Sequence, residues 1–458
     1  MRNEMKTLLV RPNADNAIGK NRFKSNVSPS SNYDSRKRQR LNSLTLGYLQ
    51  SYCKNNAHID VIDGDFMFDE YFNVLSRVVS QGNYDYIGFT LTTALLDCVV
   101  ESIRIVRSLS KAGILLGGPH PTGVPEWTLE NMDCDYVFVG EGEKSLLSFV
   151  SGDSPENIPG VCSSGNLNKK PILIQNLDDL PTPEVNPEHF KYHHYAGFQH
   201  LPEVRNSVAL MTSRSCPGRC KFCQTRQIWG NSVRRMSVDK AIDEAEYFYR
   251  AHNVNVIKYE DDSFTYNRKW LFDFCDKLSM KFNDLYWMTE ARPDQLDDDV
   301  LKALQKANCR QLAIGVEAGT DRVLKKIGRN TSVEEILDVF ERLSRYNIIY
   351  RANFIIGHPT ETEEEILRTI ELAKQIKSIS KGNMVAGAWF AKALPLPGSE
   401  FYNDVVGSGV SLNFQDFNMY DGGIGVNFSE VSEKRLDELQ SLGLMEMSYD
   451  FSKAKFLD

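Results

Sequence analysis

The chain has 458 residues, 41% of them hydrophobic and 25% charged, with a net charge of −8. That length suits more than one domain, the acidic balance excludes a general nucleic-acid binder, and no apolar run is long enough to span a membrane. Nine cysteines in no disulfide-like framework, together with an amino-terminal apolar stretch too short for a signal peptide, lead to the expectation of a cytoplasmic protein.

Residues 1–150 alternate strand and helix signals. Short apolar runs at Thr7–Val10, Ile59–Ile62, Tyr86–Thr90, Ile114–Leu116 and Tyr136–Val139 predict strands, and amphipathic segments at Leu44–Cys53, Tyr71–Val79 and Leu95–Leu109 predict helices between them. Strands separated in this way imply a parallel, doubly wound α/β sheet, in which ligands bind beyond the carboxyl ends of the strands. Three loops stand at those ends: Thr90-Leu-Thr92-Thr93, Gly117-Gly118-Pro-His120 and Gly140-Glu141-Gly-Glu143. Glycine there lets a backbone approach a ligand, although tight turns alone would explain it. A basic patch, Arg36–Arg40, follows a polar loop and reads as a solvated helix start rather than a phosphate site.

Residues 151–203 are polar and punctuated by proline, which predicts a linker with one small hairpin. A second strand–helix series spans residues 204–399. Its strands are expected at Ser207–Thr212, Val254–Tyr259, Leu285–Thr289, Gln311–Val316, Arg351–Ile356 and Val385–Phe390. Helices are expected at Val238–Arg250, Arg268–Phe282, Asp298–Ala307, Val333–Tyr346 and Glu363–Ile376. Residues 400–458 form a tail with a helix at Glu433–Leu442, read as a cap.

The most informative stretch follows the first strand of this series. Cys216, Cys220 and Cys223 are spaced C-x3-C-x2-C in a loop opened by Pro217 and Gly218. Three thiolates aimed at one small volume suit an iron–sulfur cluster, which is held by cysteine sulfur. A fully ligated 4Fe–4S cluster takes four protein thiolates, so three leave one iron open. Zinc would want a fourth Cys or His nearby, and His200 and His252 lack finger-like spacing from the trio. A chance group of core cysteines is the other bland alternative. Phe222, just before the last cysteine, could stack on an adenine.

With these features the chain resembles the radical S-adenosylmethionine (SAM) superfamily. The resemblance implies a partial (β/α)6 barrel with the cluster loop at its carboxyl-terminal face. It also implies that SAM chelates the open iron and is cleaved to methionine and a 5′-deoxyadenosyl radical, with the electron supplied by a flavodoxin or ferredoxin. Polar groups occupy the strand ends where SAM would lie. Glu260 and Asp261 could hold its ammonium group, with a solvent-facing acidic turn as the lesser alternative, and Arg292 could clamp a carboxylate of SAM or substrate, which an ordinary salt bridge explains equally. Gly315-Val-Glu317-Ala-Gly319 resembles the ribose-contacting motif, with Glu317 as acceptor and glycines for close approach. Ile355-Ile-Gly357-His358-Pro-Thr-Glu361 resembles the adenine-contacting motif through the main chain of Ile355 and Gly357. Glu361 reads as a helix amino-terminal residue, and His358 as a loop residue more than a general base.

The ordered set LTLGYL, DVIDGD, ILLGGPHPT and DYVFVGEGE resembles the cobalamin-binding-like domain that precedes many radical SAM barrels. That implies corrinoid contacts near Thr90, Thr92, Gly117, Gly118, Gly140 and Glu141. The D-x-H-x-x-G motif that supplies a lower axial ligand is missing: Arg11-Pro-Asn-Ala-Asp-Asn follows the first strand, with no His before His58. Cobalt would then be bound without a protein His, or the domain would have lost its corrinoid. The expected reaction is cobalamin-dependent methyl transfer to an unactivated carbon of a small molecule or peptide. The alternative is a cobalamin-free radical dehydration, deoxygenation, epimerisation or oxidation, with a smaller share for a cobalamin-using cyclase.

Overall fold

The computed structural model describes residues 5–13, 40–67, 70–192, 204–380, 385–417 and 427–447. Most of the basic patch lies outside them. Arg40, its one described member, is buried and donates to the Asp65 carbonyl, so it is not a solvated residue. The chain folds as two compact units, one of residues 1–189, 222–232 and 395–421, the other of residues 190–221, 233–394 and 422–458.

The first unit is built on β1 (Lys6–Arg11), β2 (His58–Asp63), β3 (Tyr86–Thr90), β4 (Gly113–Gly117), β5 (Tyr136–Phe138), β6 (Val161–Ser163) and β7 (Asn166–Leu167). They form one sheet in the order β2-β1-β3-β4-β5-β6-β7. The first five are parallel, as the strand–helix alternation requires, and the β6–β7 hairpin closes one edge antiparallel. Leu9, Leu46, Leu115, Phe138, Leu146 and Phe149 fill the core between sheet and helices. Ser43 caps the helix Leu44–Cys53 by accepting from the Leu46 N–H.

The connector is held against this unit. Ser51 donates to the Thr182 carbonyl at 2.8 Å and accepts from the Glu184 N–H at 2.9 Å. A Cβ on Gly47 would stand 2.5 Å from the Glu184 carbonyl oxygen, so that helix position must stay bare. Two later stretches also belong here. Phe414 sets its ring edge-on to His120 and Trp127, with centroids 4.9 and 4.8 Å away. Gln224 donates to the Pro397 carbonyl at 2.5 Å.

The second unit carries β8 (Asn206–Leu210), β9 (Ser213–Arg214), β10 (Arg234–Arg235), β11 (Val254–Tyr259), β12 (Tyr286–Ala291), β13 (Cys309–Glu317), β14 (Ile349–Ile356) and β15 (Val385–Lys392). Six of them make a parallel sheet in the order β15-β14-β13-β12-β11-β8, curled into a half-barrel. Helices cover its outer face, where Tyr259 and Trp287 pack on Phe274, and Tyr350 packs on Phe340. Their amino termini are fixed by side chains: Ser332 with Glu335, and Thr362 with Glu365, form capping boxes. The tail helix runs Glu433–Glu446 and sits against β15, where Gln440 donates to the Phe390 carbonyl at 2.8 Å.

Candidate active site at the strand ends

β8 stops at Leu210, short of the apolar run, because Thr212 leaves the ladder for Asp261. The Thr212 N–H and hydroxyl each donate to the Asp261 carboxylate at 2.6 Å, and the Ser213 hydroxyl donates at 2.5 Å. Arg235 stands 3.6 Å from the same carboxylate and lies over the Trp270 ring at 4.5 Å. Asp261 is 1% exposed. Its expected role at the SAM ammonium is therefore corrected: this carboxylate anchors the start of the cysteine loop. Glu260, beside it, remains half-buried and pairs with Lys258 at 2.6 Å.

The antiparallel pair β9–β10 brackets the loop at its base. Further along, the Lys221 N–H donates to the Ile327 carbonyl at 3.0 Å. Gly328 has φ +81°, and a Cβ there would lie 2.4 Å from the Arg219 carbonyl oxygen. The loop is thus seated on the turn that follows the short helix Asp321–Lys326.

Each cysteine sulfur in the loop has a nitrogen donor beside it. The Gly218 N–H lies 3.4 Å from Cys216 Sγ, and the Thr225 N–H lies 3.5 Å from Cys223 Sγ. Arg292 Nη1 is 3.9 Å from Cys220 Sγ. The thiolate is the form of sulfur that ligates iron, and donors at these distances can hydrogen-bond it there. Among the described residues no three His, Cys, Asp or Glu side chains converge as ligands of a single ion. A 4Fe–4S cluster puts each thiolate on a different iron. The donor set therefore fits 4Fe–4S with one open iron. Burial raises the Cys216 thiol, opposed by the Gly218 N–H and Arg292, and it acts on the other six cysteines as well. Burial pushes the thiols of Cys53, Cys98, Cys134 and Cys275 up to about 12 and that of Cys162 to about 11, and raises Cys309 as well.

Arg292 is not free to clamp a ligand carboxylate in two-point fashion. Its Nε and Nη2 bond Asp294 at 2.9 and 3.0 Å, and a Cβ on Gly218 would stand 2.5 Å from its Nη1. The guanidinium is packed onto the cysteine loop, a correction to its expected role. A cavity of about 810 Å³ adjoins this loop, lined in part by Pro217, Arg219, Arg268 and Arg342.

At the end of β13, Glu317 adopts φ +72°, a conformation rare for a residue with a side chain and common at working sites. Its carboxylate pairs with the buried Arg329, which also donates to the Gly315 carbonyl at 3.1 Å. The flanking glycines answer to the protein rather than to a nucleoside. A Cβ on Gly315 would meet that ion pair, and one on Gly319 would lie 2.4 Å from Thr369 Cα. Arg329 was not legible as a site residue, being a lone arginine between helices.

After β14, Gly357 has φ +82° and its N–H donates to Glu361 at 2.7 Å; the His358 N–H donates to the same oxygen at 2.9 Å. Gly357 can thus offer an adenine only its carbonyl, alongside the half-buried Ile355. Glu361 is not the helix amino-terminal residue; Thr362 is the cap, and Glu361 fastens the turn before it. Burial pushes the Glu361 carboxyl up to about 7 and the His358 imidazole down to about 4, so His358 is a neutral packed residue.

In the first unit, Thr90, Thr92, Gly117 and Gly118 stand half-buried at the carboxyl ends of β3 and β4. Leu91 ties the two loops together, its N–H donating to Gly117 at 2.7 Å and its carbonyl accepting from His120 at 3.2 Å. A Cβ on Gly117 would meet nothing closer than Phe138 at 3.7 Å, so this loop leaves room for a ligand. Gly140 and Glu141 do not. A Cβ on Gly140 would lie 2.7 Å from Pro171, and Glu141 is buried and accepts from the Ile174 N–H at 2.9 Å. Both hold the connector, a correction to their expected corrinoid role. His120 lies on a short helix, Pro119–Gly123, rather than a loop; its Nδ1 is 3.0 Å from the Thr93 hydroxyl. The open position at Gly117 fits a corrinoid without a protein axial ligand, whereas Gly118 is bare for the protein itself, since a Cβ there would lie 2.9 Å from the Leu91 carbonyl oxygen. Phe222 is half-buried and belongs with Cys223 to the first unit.

A parallel sheet with open strand ends, followed by a curled half-barrel with a three-cysteine loop after its first strand, defines a cofactor-dependent enzyme of the radical type. Sequence-family comparison agrees: residues 38–150 match the B12 binding domain and residues 210–373 match the radical SAM superfamily. The chain is a radical SAM enzyme with a B12-binding domain ahead of its radical SAM domain. It is 27% identical over 424 residues, 89% of this chain and 84% of the relative, to an uncharacterized methyltransferase of Pyrococcus horikoshii. It is 23% identical over 390 residues, 81% of this chain and 68% of the relative, to the anaerobic magnesium-protoporphyrin IX monomethyl ester cyclase of Rubrivivax gelatinosus. The fold is shared with the radical SAM methyltransferase TsrM from Kitasatospora setae, solved with cobalamin and a 4Fe–4S cluster. That likeness has a TM-score of 0.66 at 17% identity and covers 88% of this chain and 75% of that one. No helix among the described residues is long and apolar enough to cross a membrane.

Proposed function

We propose that the chain holds a 4Fe–4S cluster through Cys216, Cys220 and Cys223, binds SAM along the ends of β11 to β14, and carries cobalamin on the β3 and β4 loops. In this reading it transfers a methyl group to an unactivated carbon of a small molecule. The observation that carries it is the order of parts: a B12-binding domain with an open Gly117 loop precedes a barrel whose first strand leads into three cysteines. When bound, the cluster with SAM supplies a carbon radical and the corrinoid supplies methyl transfer.

The residues serve binding and orientation. Asp261 fixes the point where the cysteine loop leaves the sheet, and Arg292 stands against Cys220 with its charge partly balanced by Asp294. Glu260 is the carboxylate left to meet the SAM ammonium, and Glu317, held by Arg329, presents its strained backbone to the nucleoside. A flavodoxin or ferredoxin would supply the electron.

A second reading, a cobalamin-using cyclase, is favoured by the similarity to the magnesium-protoporphyrin IX monomethyl ester cyclase taken with the B12-binding domain of this chain. The deciding experiment is anaerobic purification from cells supplied with hydroxocobalamin. Stoichiometric corrin absorbance, with S-adenosylhomocysteine forming beside 5′-deoxyadenosine, supports methyl transfer. Corrin without S-adenosylhomocysteine moves the reading to the cyclase. No corrin, with 5′-deoxyadenosine alone, ends both.

A further inference from the structure

The concave face of the curled sheet carries charge that the fold does not use. Strand alternation settles which side chains lie there. Tyr259, Trp287 and Tyr350 pack outward on helix aromatics, so Lys258, Glu290, Arg351 and Asn353 project the other way. Register places Glu290 beside Ala313, and Ala313 beside Arg351. The backbones of Glu290 and Arg351 are thus two strand spacings apart, ~10 Å, with a single methyl group between them.

Lys258 is already paired with Glu260. Glu290 and Arg351, both half-buried, have no hydrogen-bond or ion-pair partner among the described residues. Arg351 Nε, Asn353 Oδ1 and Gln311 Oε1 are enclosed atoms of the same face, and each lacks a partner. Folded proteins rarely leave such atoms unmatched, so a group of them on adjacent strands marks a place that a ligand completes. Burial raises the Glu290 carboxyl, and the positive charges of Lys258 and Arg351 oppose that shift.

We propose that Glu290 and Arg351 hold the ammonium and the carboxylate of one free amino-acid head, so that the substrate is an α-amino acid or a small derivative with both groups unblocked. The inference rests on the barrel reading above. A guanidinium meets a carboxylate in planar two-point fashion, and a carboxylate accepts from an ammonium, so the two side chains leaning over Ala313 match both ends of such a head. An internal peptide residue offers neither group. SAM carries the same head, but the family resemblance puts its ammonium and carboxylate on the open iron, which leaves this pair for a second molecule.

The test uses the cluster-loaded full chain with SAM present and measures anaerobic equilibrium binding of the proteinogenic L-amino acids. For any that bind, the matched decarboxylated amine and deaminated acid are measured as well. The wild type should bind at least one amino acid, and its two analogues about tenfold or more weaker. R351M should abolish discrimination against the amine, and E290Q discrimination against the deaminated acid, while R351K and E290D retain part of each. Iron content per chain checks that every variant is folded. Binding of no amino acid by the wild type overturns the proposal, as does full discrimination in both variants. Loss of SAM affinity in R351M or E290Q, with amino-acid binding unchanged, also overturns it by assigning the pair to the SAM head. A wild type that binds amino acids yet leaves SAM intact under dithionite would strike the reaction reading alone.

Discussion

Glu317 and Arg329 form a buried ion pair that holds the end of β13 in a left-handed backbone turn. Removing one partner strands the other charge away from water, which typically costs about 3–5 kcal/mol. R329M should therefore lower thermal stability sharply. The E317Q/R329M double variant should recover much of the loss, since neither residue then carries charge. Anaerobic thermal unfolding of wild type, both single variants and the double variant measures the coupling; additive effects would remove the pair from the account.

The cysteines divide by position, three in one loop and six scattered along the chain. Ala at Cys216, Cys220 and Cys223 together should abolish an iron content of about four per chain after reconstitution. Ala at Cys53, Cys98, Cys134, Cys162, Cys275 or Cys309 should leave iron unchanged, because those residues are scattered along the chain outside the cysteine loop. Iron retained by the triple variant would sink the cluster assignment.

Asp261 and Glu260 are sequence neighbours with separate duties. D261A removes the acceptor for Thr212 and Ser213 and leaves Arg235 buried without its carboxylate. It should cost about 3–5 kcal/mol and reduce iron retention with it. E260Q should keep stability and iron but weaken SAM binding. Equal behaviour of the two variants would contradict this division.

Strand and helix positions were legible in the sequence because alternation and helical periodicity are local. Val254–Tyr259 and Leu44–Cys53 keep their expected limits. Partnerships between distant charges were not legible. Asp261 and Glu260 read alike as loop carboxylates, and only the chain returning through Thr212, Ser213 and Arg235 separates them. Arg292 read equally as a ligand clamp or as an ordinary salt bridge, and the structure pairs it with Asp294, two residues on. Glu290, one residue past the expected strand Leu285–Thr289, and Arg351, first in the expected strand Arg351–Ile356, were passed over because a charge at a strand margin reads as a loop residue.

Glu361 gives the molecule a pH dependence of definite sign. Its carboxyl titrates near 7 in the fold, above the usual 4.5, so the folded state holds the proton more tightly. That contribution is present in full below about pH 4.5 and is lost as pH rises through about 7. E361Q keeps an oxygen for the Gly357 and His358 N–H groups but cannot ionise. Wild type should lose stability relative to E361Q between about pH 5 and pH 8, by at most about 3 kcal/mol. Parallel melting curves across that range would show that the carboxyl is not perturbed.

The aromatic contact of Phe414 with His120 and Trp127 sets an order of events during synthesis. Residues 1–189 leave the ribosome long before the stretch that completes their unit. Until residue 414 emerges, the Trp127 and His120 rings stand uncovered while the whole curled sheet is being made. Domains otherwise fold in turn as they are synthesised. Here the first unit to begin is among the last to close, and a shortened chain ending before residue 395 would keep its opening strands yet show an apolar face to chaperones.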